Sequence, residues 1–524
     1  MNLNKNIYDC KVDIVGRNNF HMGRSQKAFK NVFTGLINKA AIMLLSFVTK
    51  TAFIRLLGAE YNGVNSLYSN ILSVLALAEL GLGNVLMFYL YSALESGDTD
   101  RICALTQEFK KIYNIIIVCV SVVGIAIVPF LRILVKSNLS YNELIVYYLL
   151  YLLNSVASYF VIYRTMIIRA DQKEYLLNNC NTIMTIIMYV LQLAYLFISR
   201  NFLGYLIIQV ICTIVNNFIQ NKIALKLYPY LKKKHFSDEK IVDKKSLWGN
   251  VKATFLFKVS DTILDQTDNI IISMMFGTVM VGCYANYYMV MTYLVQIASI
   301  IVSGLIASFG NLYATGEKQH SYNMIKCIMF FFSAFGTYCV ACYVSVIQDF
   351  IPFWVGSEYV MGFDLVIAVV IVFYLRMITN TVWICRSTMG IFKEVQYINL
   401  ISAILNIGLS VFLGHILGVS GVIVATAISR LVTSFWYEGK VVFNKLGKNA
   451  KEYYMIQLRN VLLAILIIGI SLLINQKLPI IGIWGMFLKV IICSLITISF
   501  EVIFNRNTLE FKMLSERVGR SLRI

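Results

Sequence analysis

The sequence predicts an all-α integral membrane protein of about fourteen transmembrane helices, two six-helix lobes followed by two C-terminal helices. Three observations predict it: an apolar excess, the length of the apolar runs, and an internal repeat. Of 524 residues, 58% are hydrophobic and 14% charged, and mean hydropathy is +0.71. Soluble domains run nearer half apolar and a quarter charged. A hydrocarbon core of about 30 Å takes about 20 apolar residues per helix, and backbone groups inside it must pair internally. That ruler places spans near 32–54, 65–91, 112–135, 144–168, 175–198 and 202–224. After a basic loop come spans near 251–276, 281–308, 326–350, 363–385, 397–416, 420–439, 455–475 and 481–504.

Residues 1–30 are polar and basic, with no apolar core or small-residue cleavage site, so the first run is expected to be an uncleaved signal anchor. An N-lobe then covers 31–224, an inter-lobe loop 225–249, a C-lobe 250–440, the last two helices 441–504, and a tail 505–524. Lys and Arg in the loops set the orientation. With the N-terminus cytoplasmic, the inside loops carry Lys232, Lys233, Lys234, Lys244 and Lys245, then Lys440, Lys445, Lys448 and Lys451. The opposite loops carry Arg55, Arg132, Lys136, Arg200 and Lys477. Both termini are therefore expected in the cytoplasm. The formal charge of +19 reads as topology and contact of basic loops with anionic lipid, not as nucleic-acid binding.

The halves match when the chain is shifted by 219 residues. Asn31-Val32 then falls on Asn250-Val251, Lys39 on Lys258, Gly58 on Gly277, Gly63 on Gly282, Tyr68 on Tyr287 and Gly97 on Gly316. With a few inserted residues, Val128-Pro129-Phe130 meets Ile351-Pro352-Phe353, and Lys173-Glu174 meets Lys393-Glu394. Six helices per half is even, so the repeats are parallel and related by an axis along the membrane normal, an arrangement secondary transporters use for rocking about a site between lobes.

Charges at bilayer depth point to that site, since each costs about 2.5–3.5 kcal/mol at a helix centre. Lys258, Asp261, Asp265 and Asp268 fall on one face of the seventh helix by their spacing. Lys39 and Lys50 share a face of the first, and Glu79, Arg376, Arg430 and Lys489 are further candidates. Asn38, Asn65, Gln266 and Asn269, with Ser46, Ser69, Thr262 and Tyr287, supply neutral polar groups on the same walls. Lys258 and Asp261 can also neutralise each other, and Lys50 or Lys489 can snorkel to a headgroup.

Other chemistries find little support. Eleven cysteines are scattered through apolar stretches; Cys339 and Cys342 form a lone C-x-x-C with neither a second pair nor nearby histidines. His21, His235, His320 and His415 lie far apart, so no metal site is expected, and no cofactor. No G-x-x-x-x-G-K-[ST] loop is present, which argues against ATP as the energy source.

The run Phe47-Val-Thr-Lys-Thr-Ala-Phe-Ile-Arg-Leu-Leu-Gly-Ala-Glu-Tyr-Asn-Gly63, followed by Leu67-Tyr-Ser and Ala78-Glu-Leu-Gly-Leu-Gly83, resembles the polysaccharide-transporter branch of the multidrug/oligosaccharidyl-lipid/polysaccharide exporter (MATE-like) superfamily. That branch holds O-antigen and capsule repeat-unit flippases. The resemblance implies a V of two lobes, with the first, second, seventh and eighth helices walling a cavity. It implies a substrate, undecaprenyl-pyrophosphate-linked oligosaccharide moved from the cytoplasmic to the outer leaflet of a bacterial cytoplasmic membrane, and no enzymatic step. The Arg-x-x-Gly-Ala block also resembles lipid II flippases, where a basic residue just before it serves the pyrophosphate. Lys50 is the nearest match, but Thr49 and Thr51 flank it where that branch has an acidic neighbour.

A Lys or Arg offsets a phosphate charge whose burial is otherwise prohibitive. Lys39, Lys50, Lys258, Arg376 and Arg430 are thus the expected pyrophosphate ligands. Asp261, Asp265 or Asp268 is expected to bind Na⁺ or H⁺. The nearest alternative is a MATE-type drug/cation antiporter, favoured by an acidic, aromatic cavity. A membrane polysaccharide polymerase or ligase is the alternative from another class; it would present a large outer loop, and none is expected here.

Overall fold

A computed structural model of the chain describes residues 41–76, 82–171, 173–232, 262, 264, 266–314, 316–391, 394–477 and 482–521. Within these, every regular element is helical. The first, α1, covers 41–57; α2 (Ala59–Leu75), α3 (Leu82–Glu95), α4 (Thr99–Ile127), α5 (Leu131–Leu134), α6 (Tyr141–Tyr159), α7 (Ile162–Ala170), α8 (Glu174–Ser199) and α9 (Phe202–Leu227) complete the first half. The second half opens with α10, 266–276, and continues through α11 (Thr278–Ala314), α12 (Lys318–Trp354), α13 (Phe363–Met389), α14 (Gln396–Val432) and α15 (Ser434–Lys445). Then come α16 (Ala450–Gln476), α17 (Ile483–Asn505) and α18 (Leu509–Ser521).

Nine helices among the described residues are long and apolar enough to cross a membrane, or ten with α6 and α7, which meet at a 45° bend, taken as one. Their surfaces are inside out relative to a soluble protein. On α16, Met455, Leu458, Leu462, Ile465 and Leu473 are exposed, while Gln457, Asn460, Ser471 and Asn475 are buried. On α17, Leu495 and Ile498 face outward and Thr497, Glu501 and Asn505 inward. Exposed apolar stripes of this extent have no stable place in water. The chain is an all-α integral membrane protein.

Two expected spans differ in detail. The run expected at 65–91 falls on α2, which ends at Leu75, and on α3, described from Leu82; residues 77–81 lie outside the described residues. The pair expected at 397–416 and 420–439 joins end to end, with Gly418 (φ 67°, ψ −148°) as the non-helical break. Only glycine takes that conformation without strain.

The repeat positions take matching conformations. Gly58 and Gly277 have φ of 91° and 92°, and each separates two helices; Gly97 and Gly316, at 67° and 79°, end the returning helices. Pro129 lies in a 3-10 turn, Val128–Phe130, at the end of α4, and Pro352 lies in the last turn of α12. Lys393 and Glu79 lie outside the described residues.

Candidate functional site

The two halves meet where α2 crosses α11. A Cβ on Gly63 would sit 1.8 Å from the Thr278 carbonyl oxygen, and one on Gly282 would sit 2.0 Å from that of Ala59. Ala59-x-x-x-Gly63 and Thr278-x-x-x-Gly282 are thus a pair of small-x-x-x-small seams, which let membrane helices approach backbone to backbone. Asn62 Nδ2 crosses the seam, donating to the Gly282 carbonyl (2.8 Å) and Asn286 Oδ1 (3.0 Å).

Beyond the crossing each half ties down the other's turn. Arg55 Nε donates to the Trp354 carbonyl (2.9 Å), and Trp354 Nε1 to Thr51 Oγ1 (2.7 Å). The Trp354 ring stacks on Phe47 at 5.0 Å. Reciprocally, Thr278 N donates to the Lys136 carbonyl (2.9 Å). The seam is closed at the end where Gly58 and Gly277 turn the chain.

The second half contains a polar interior. Asp268 on α10 accepts from Thr426 Oγ1 at 3.1 and 3.2 Å through its two oxygens. Asn406 Nδ2 donates to Thr426 Oγ1 (2.9 Å) and, more weakly, to Ser410 Oγ (3.5 Å). Ser410 Oγ in turn donates to the Val422 carbonyl (3.4 Å). One carboxylate with hydroxyl, amide and carbonyl oxygens is a hard donor set, suited to a hard cation and unlike a zinc site. Among the described residues no three His, Cys, Asp or Glu gather into a metal cluster.

One cavity adjoins this network and a second lies beside the first. The first, of about 40 Å³, is lined by Asp268, Tyr284, Tyr288, Arg376, Thr426 and Arg430. The other, of about 90 Å³, shares Arg430 and Leu264 with it and adds Arg386, Asn399, Ser434 and Glu438. Arg386 Nη1 and Glu438 Oε1 form a buried pair at 2.6 Å. Among the described residues, three guanidiniums and two carboxylates therefore line two neighbouring cavities inside a membrane helix bundle. Such groups face protein or water, since lipid would make them prohibitive.

The structural neighbours of this arrangement are transporters. A lipid II flippase, MurJ, in an inward closed conformation superposes with a TM-score of 0.66 at 15% identity, covering 91% of this chain and 99% of that one. An inward-facing multidrug resistance MATE family transporter of the MOP superfamily follows at 0.59 and 13%, covering 79% and 99%. A Vibrio cholerae MATE transporter gives 0.51 and 13%, covering 81% and 98%. The chain has the fold of the MOP-superfamily transporters. No family model and no curated protein matches the sequence. The likeness is therefore one of fold, and these neighbours are transporters and flippases rather than enzymes.

Within this MOP-type fold the expected site residues separate. Asp268, Arg376 and Arg430 come together around one cavity. Lys50 is half-buried on α1, its ammonium 5.3 Å over the Phe53 ring, and lines neither cavity. Asn65 accepts from the Tyr151 hydroxyl, which ties α2 to α6. Gln266 offers its carbonyl to Asn70 Nδ2 at 3.4 Å, and Asn269 is buried. Lys489, a snorkelling candidate, pairs with Asp349 on α12 at 2.5 Å. Asn38, Lys39, Lys258, Asp261 and Asp265 lie outside the described residues.

Sequence reasoning missed Asn406, Ser410, Thr426, Arg386 and Glu438. Asn406 and Ser410 stand four apart in an apolar run, one face of one helix, and that signal was legible. Arg386 fell just past the expected end of its span, and Glu438 at the end of its own.

Proposed function

We propose that the protein is a flippase or exporter carrying undecaprenyl-pyrophosphate-linked oligosaccharide across a bacterial cytoplasmic membrane, for surface polysaccharide. Two lobes, 31–224 and 250–440, rock about the α2–α11 crossing, with both termini and the basic loops on the cytoplasmic side. Lys39, Lys50 and Lys258, with Arg376 and Arg430, offset the pyrophosphate charge, while the sugars meet neutral amides and hydroxyls. Na⁺ or H⁺ binds at Asp268 with oxygens from Thr426, Asn406, Ser410 and Val422, and Asp261 and Asp265 belong to the same helix face.

The observation that carries this reading is the Asp268 oxygen cluster beside an arginine-lined cavity, in a fold shared with a lipid II flippase. A bound cation lowers the cost of keeping Asp268 ionised at depth, so occupancy shifts the balance between two lobe arrangements by its differential affinity for them. Rescue of surface polymer in a flippase-null strain tests it. Wild type restores polymer and Asp268→Asn does not; absence of rescue by wild type, at confirmed expression, rejects the reading.

Asp268 beside Tyr284 and Tyr288 favours a second reading, a drug/cation antiporter. Ethidium efflux from cells expressing the chain, with no polymer rescue, would reverse the order of the two.

A further inference from the structure

The helix α17, which follows the repeat, is fastened along α12. Lys489 pairs with Asp349 at 2.5 Å, and Ser494 Oγ donates to the Tyr338 hydroxyl at 3.3 Å. Further along, Glu510 of α18 pairs with Lys326 at 3.1 Å. Rising numbers on one side meet falling numbers on the other, so α17 runs antiparallel to α12 in a register pinned at both ends.

Within that register two thiols meet. Cys493 Sγ lies 3.5 Å from the Ala341 carbonyl oxygen and 3.4 Å from Ser345 Oγ, against the turn of α12 that carries Cys342. Cys342 is half-buried, Cys493 is fully buried, and their side chains interact sulfur to sulfur. Both are free cysteines. Asn475 Nδ2, from α16, donates to Cys493 Sγ at 3.2 Å and holds it from a third helix. The sequence sets Cys342 beside Cys339 in a C-x-x-C; the fold sets it against Cys493 as well.

Depth selects the chemistry. Cys342 stands twelve residues from the Trp354 end of α12, and Cys493 ten from the Ile483 end of α17. At 1.5 Å per residue that is about 15–18 Å in, near the middle of a hydrocarbon core about 30 Å thick. Glutathione keeps cytosolic thiols reduced, but a charged peptide is excluded from that depth. Apolar dioxygen is not.

We propose that Cys342 and Cys493 are an oxidation site, where a disulfide staples α17 to α12. Each thiol loses its proton and one S–S bond forms. Dioxygen takes up the two electrons and two protons and leaves as hydrogen peroxide. The staple makes the last two membrane helices move with the second half. The inference stands apart from the flippase reading, since the bond forms whatever the cargo.

The test uses the full chain in liposomes, first reduced and then exposed in air to the apolar catalyst copper–phenanthroline. Free thiols are blocked with N-ethylmaleimide, and linked peptides are identified by mass spectrometry. A peptide joining Cys342 to Cys493 is expected, with two fewer maleimides per chain and a higher Tm, both reversed by dithiothreitol. Tetrathionate, a charged oxidant confined to water, should form the link at least about tenfold more slowly, given the cost of charge in hydrocarbon. Cys493→Ser should abolish the link and the Tm rise, as should Cys342→Ser on the other helix, whereas Cys339→Ser should keep both. No peptide joining Cys342 to Cys493 in a chain of unchanged elution profile, a link between Cys339 and Cys342 in its place, or equal rates with tetrathionate overturns the proposal.

Discussion

The helix ending at Gly58 and the helix ending at Gly277 match at an offset of 219 residues, yet they differ in charge. Where the first has Ile42, Ser46, Thr49 and Lys50, the second has Asp261, Asp265, Asp268 and Asn269; both have a lysine at the next position back, Lys39 and Lys258. Their backbones agree at the turn, with φ of 91° and 92°. Their side chains do not. Thr49 is buried and returns its hydroxyl to its own helix at the Leu45 carbonyl, 2.9 Å away, whereas Asp268 reaches across to Thr426 on α14. The geometry that two helices share is kept by glycines, while the chemistry they carry is free to diverge. A cationic helix facing an anionic cargo and a carboxylate helix facing a cation is one way such a pair divides the work of coupled transport.

The shared part is the most sensitive to substitution. Gly63→Ala and Gly282→Ala each force a Cβ into a backbone carbonyl, at 1.8 and 2.0 Å, and a helix backbone cannot step aside as a side chain does. Each should cost above about 3 kcal/mol, the upper end of overpacking penalties, seen as loss of monodisperse protein or a large drop in Tm in detergent. The two drops should be alike. A tolerated Gly282→Ala beside a ruinous Gly63→Ala would show that the crossing is not symmetric.

The divergent part should affect transport before stability. Asp268→Thr gives the second helix the residue of the first. It removes the Asp268 carboxylate from the oxygen cluster and should lower cation-dependent transport at least about tenfold, the scale seen for lesser changes around metal ligands. Thr49→Ala, the matching change, should leave transport nearly intact. Lys50→Gln comes next: a charge-assisted contact to phosphate is worth about 1.5–3 kcal/mol, or roughly ten- to a hundredfold. Lys50→Arg should recover most of the loss. Unchanged polymer rescue by Lys50→Gln would remove the cationic half of the comparison.

Much of this architecture was legible before any coordinates, for physical reasons. Bilayer thickness fixes helix length, so the apolar runs could be measured with one ruler, and Gly58, Gly97, Gly277 and Gly316 stood out as matching positions of the repeat, where the structure has positive-φ turns. What could not be read was which polar residues meet. Asp268 and Thr426 are 158 positions apart, and nothing local to either says that α10 and α14 lie side by side. Arg386 and Glu438 escaped notice because hydropathy places span edges only to within a few residues, and at an edge a charge looks like a loop charge. Asn65 shows the converse error. A polar residue on a wall helix was expected to face a cavity, but the Tyr151 hydroxyl claims its amide oxygen for packing between α2 and α6.

The smallest effects should come from the loops that precede α8 and α14, where the Lys-Glu pair of the repeat recurs. In the first half Lys173 Nζ sits 2.7 Å from Asp171 Oδ2, which also accepts from the Tyr228 hydroxyl at 2.7 Å. In the second half Glu394 pairs with Lys445 at 2.9 Å, both well exposed. Burial alone would raise the Asp171 carboxyl, but the hydrogen bonds from Lys173 and Tyr228 more than offset it and hold the group below the usual carboxylate range. A depressed folded-state value stabilises above the unfolded value, about 3.9, and that contribution is lost as pH falls through the folded one. Tyr228→Phe should therefore lower stability slightly at neutral pH, by less than about 1 kcal/mol because the Asp171 carboxylate is partly open to solvent. The deficit should shrink as pH falls below about 3.9 and through the lower folded-state value, where wild type loses the same contribution. Lys445→Ala should change little at neutral pH, since exposed pairs are worth about 0–1 kcal/mol. A Tyr228→Phe deficit that persists undiminished into acid would mean that the hydroxyl acts through packing rather than through Asp171, and the two loops would then differ in shape and not in charge.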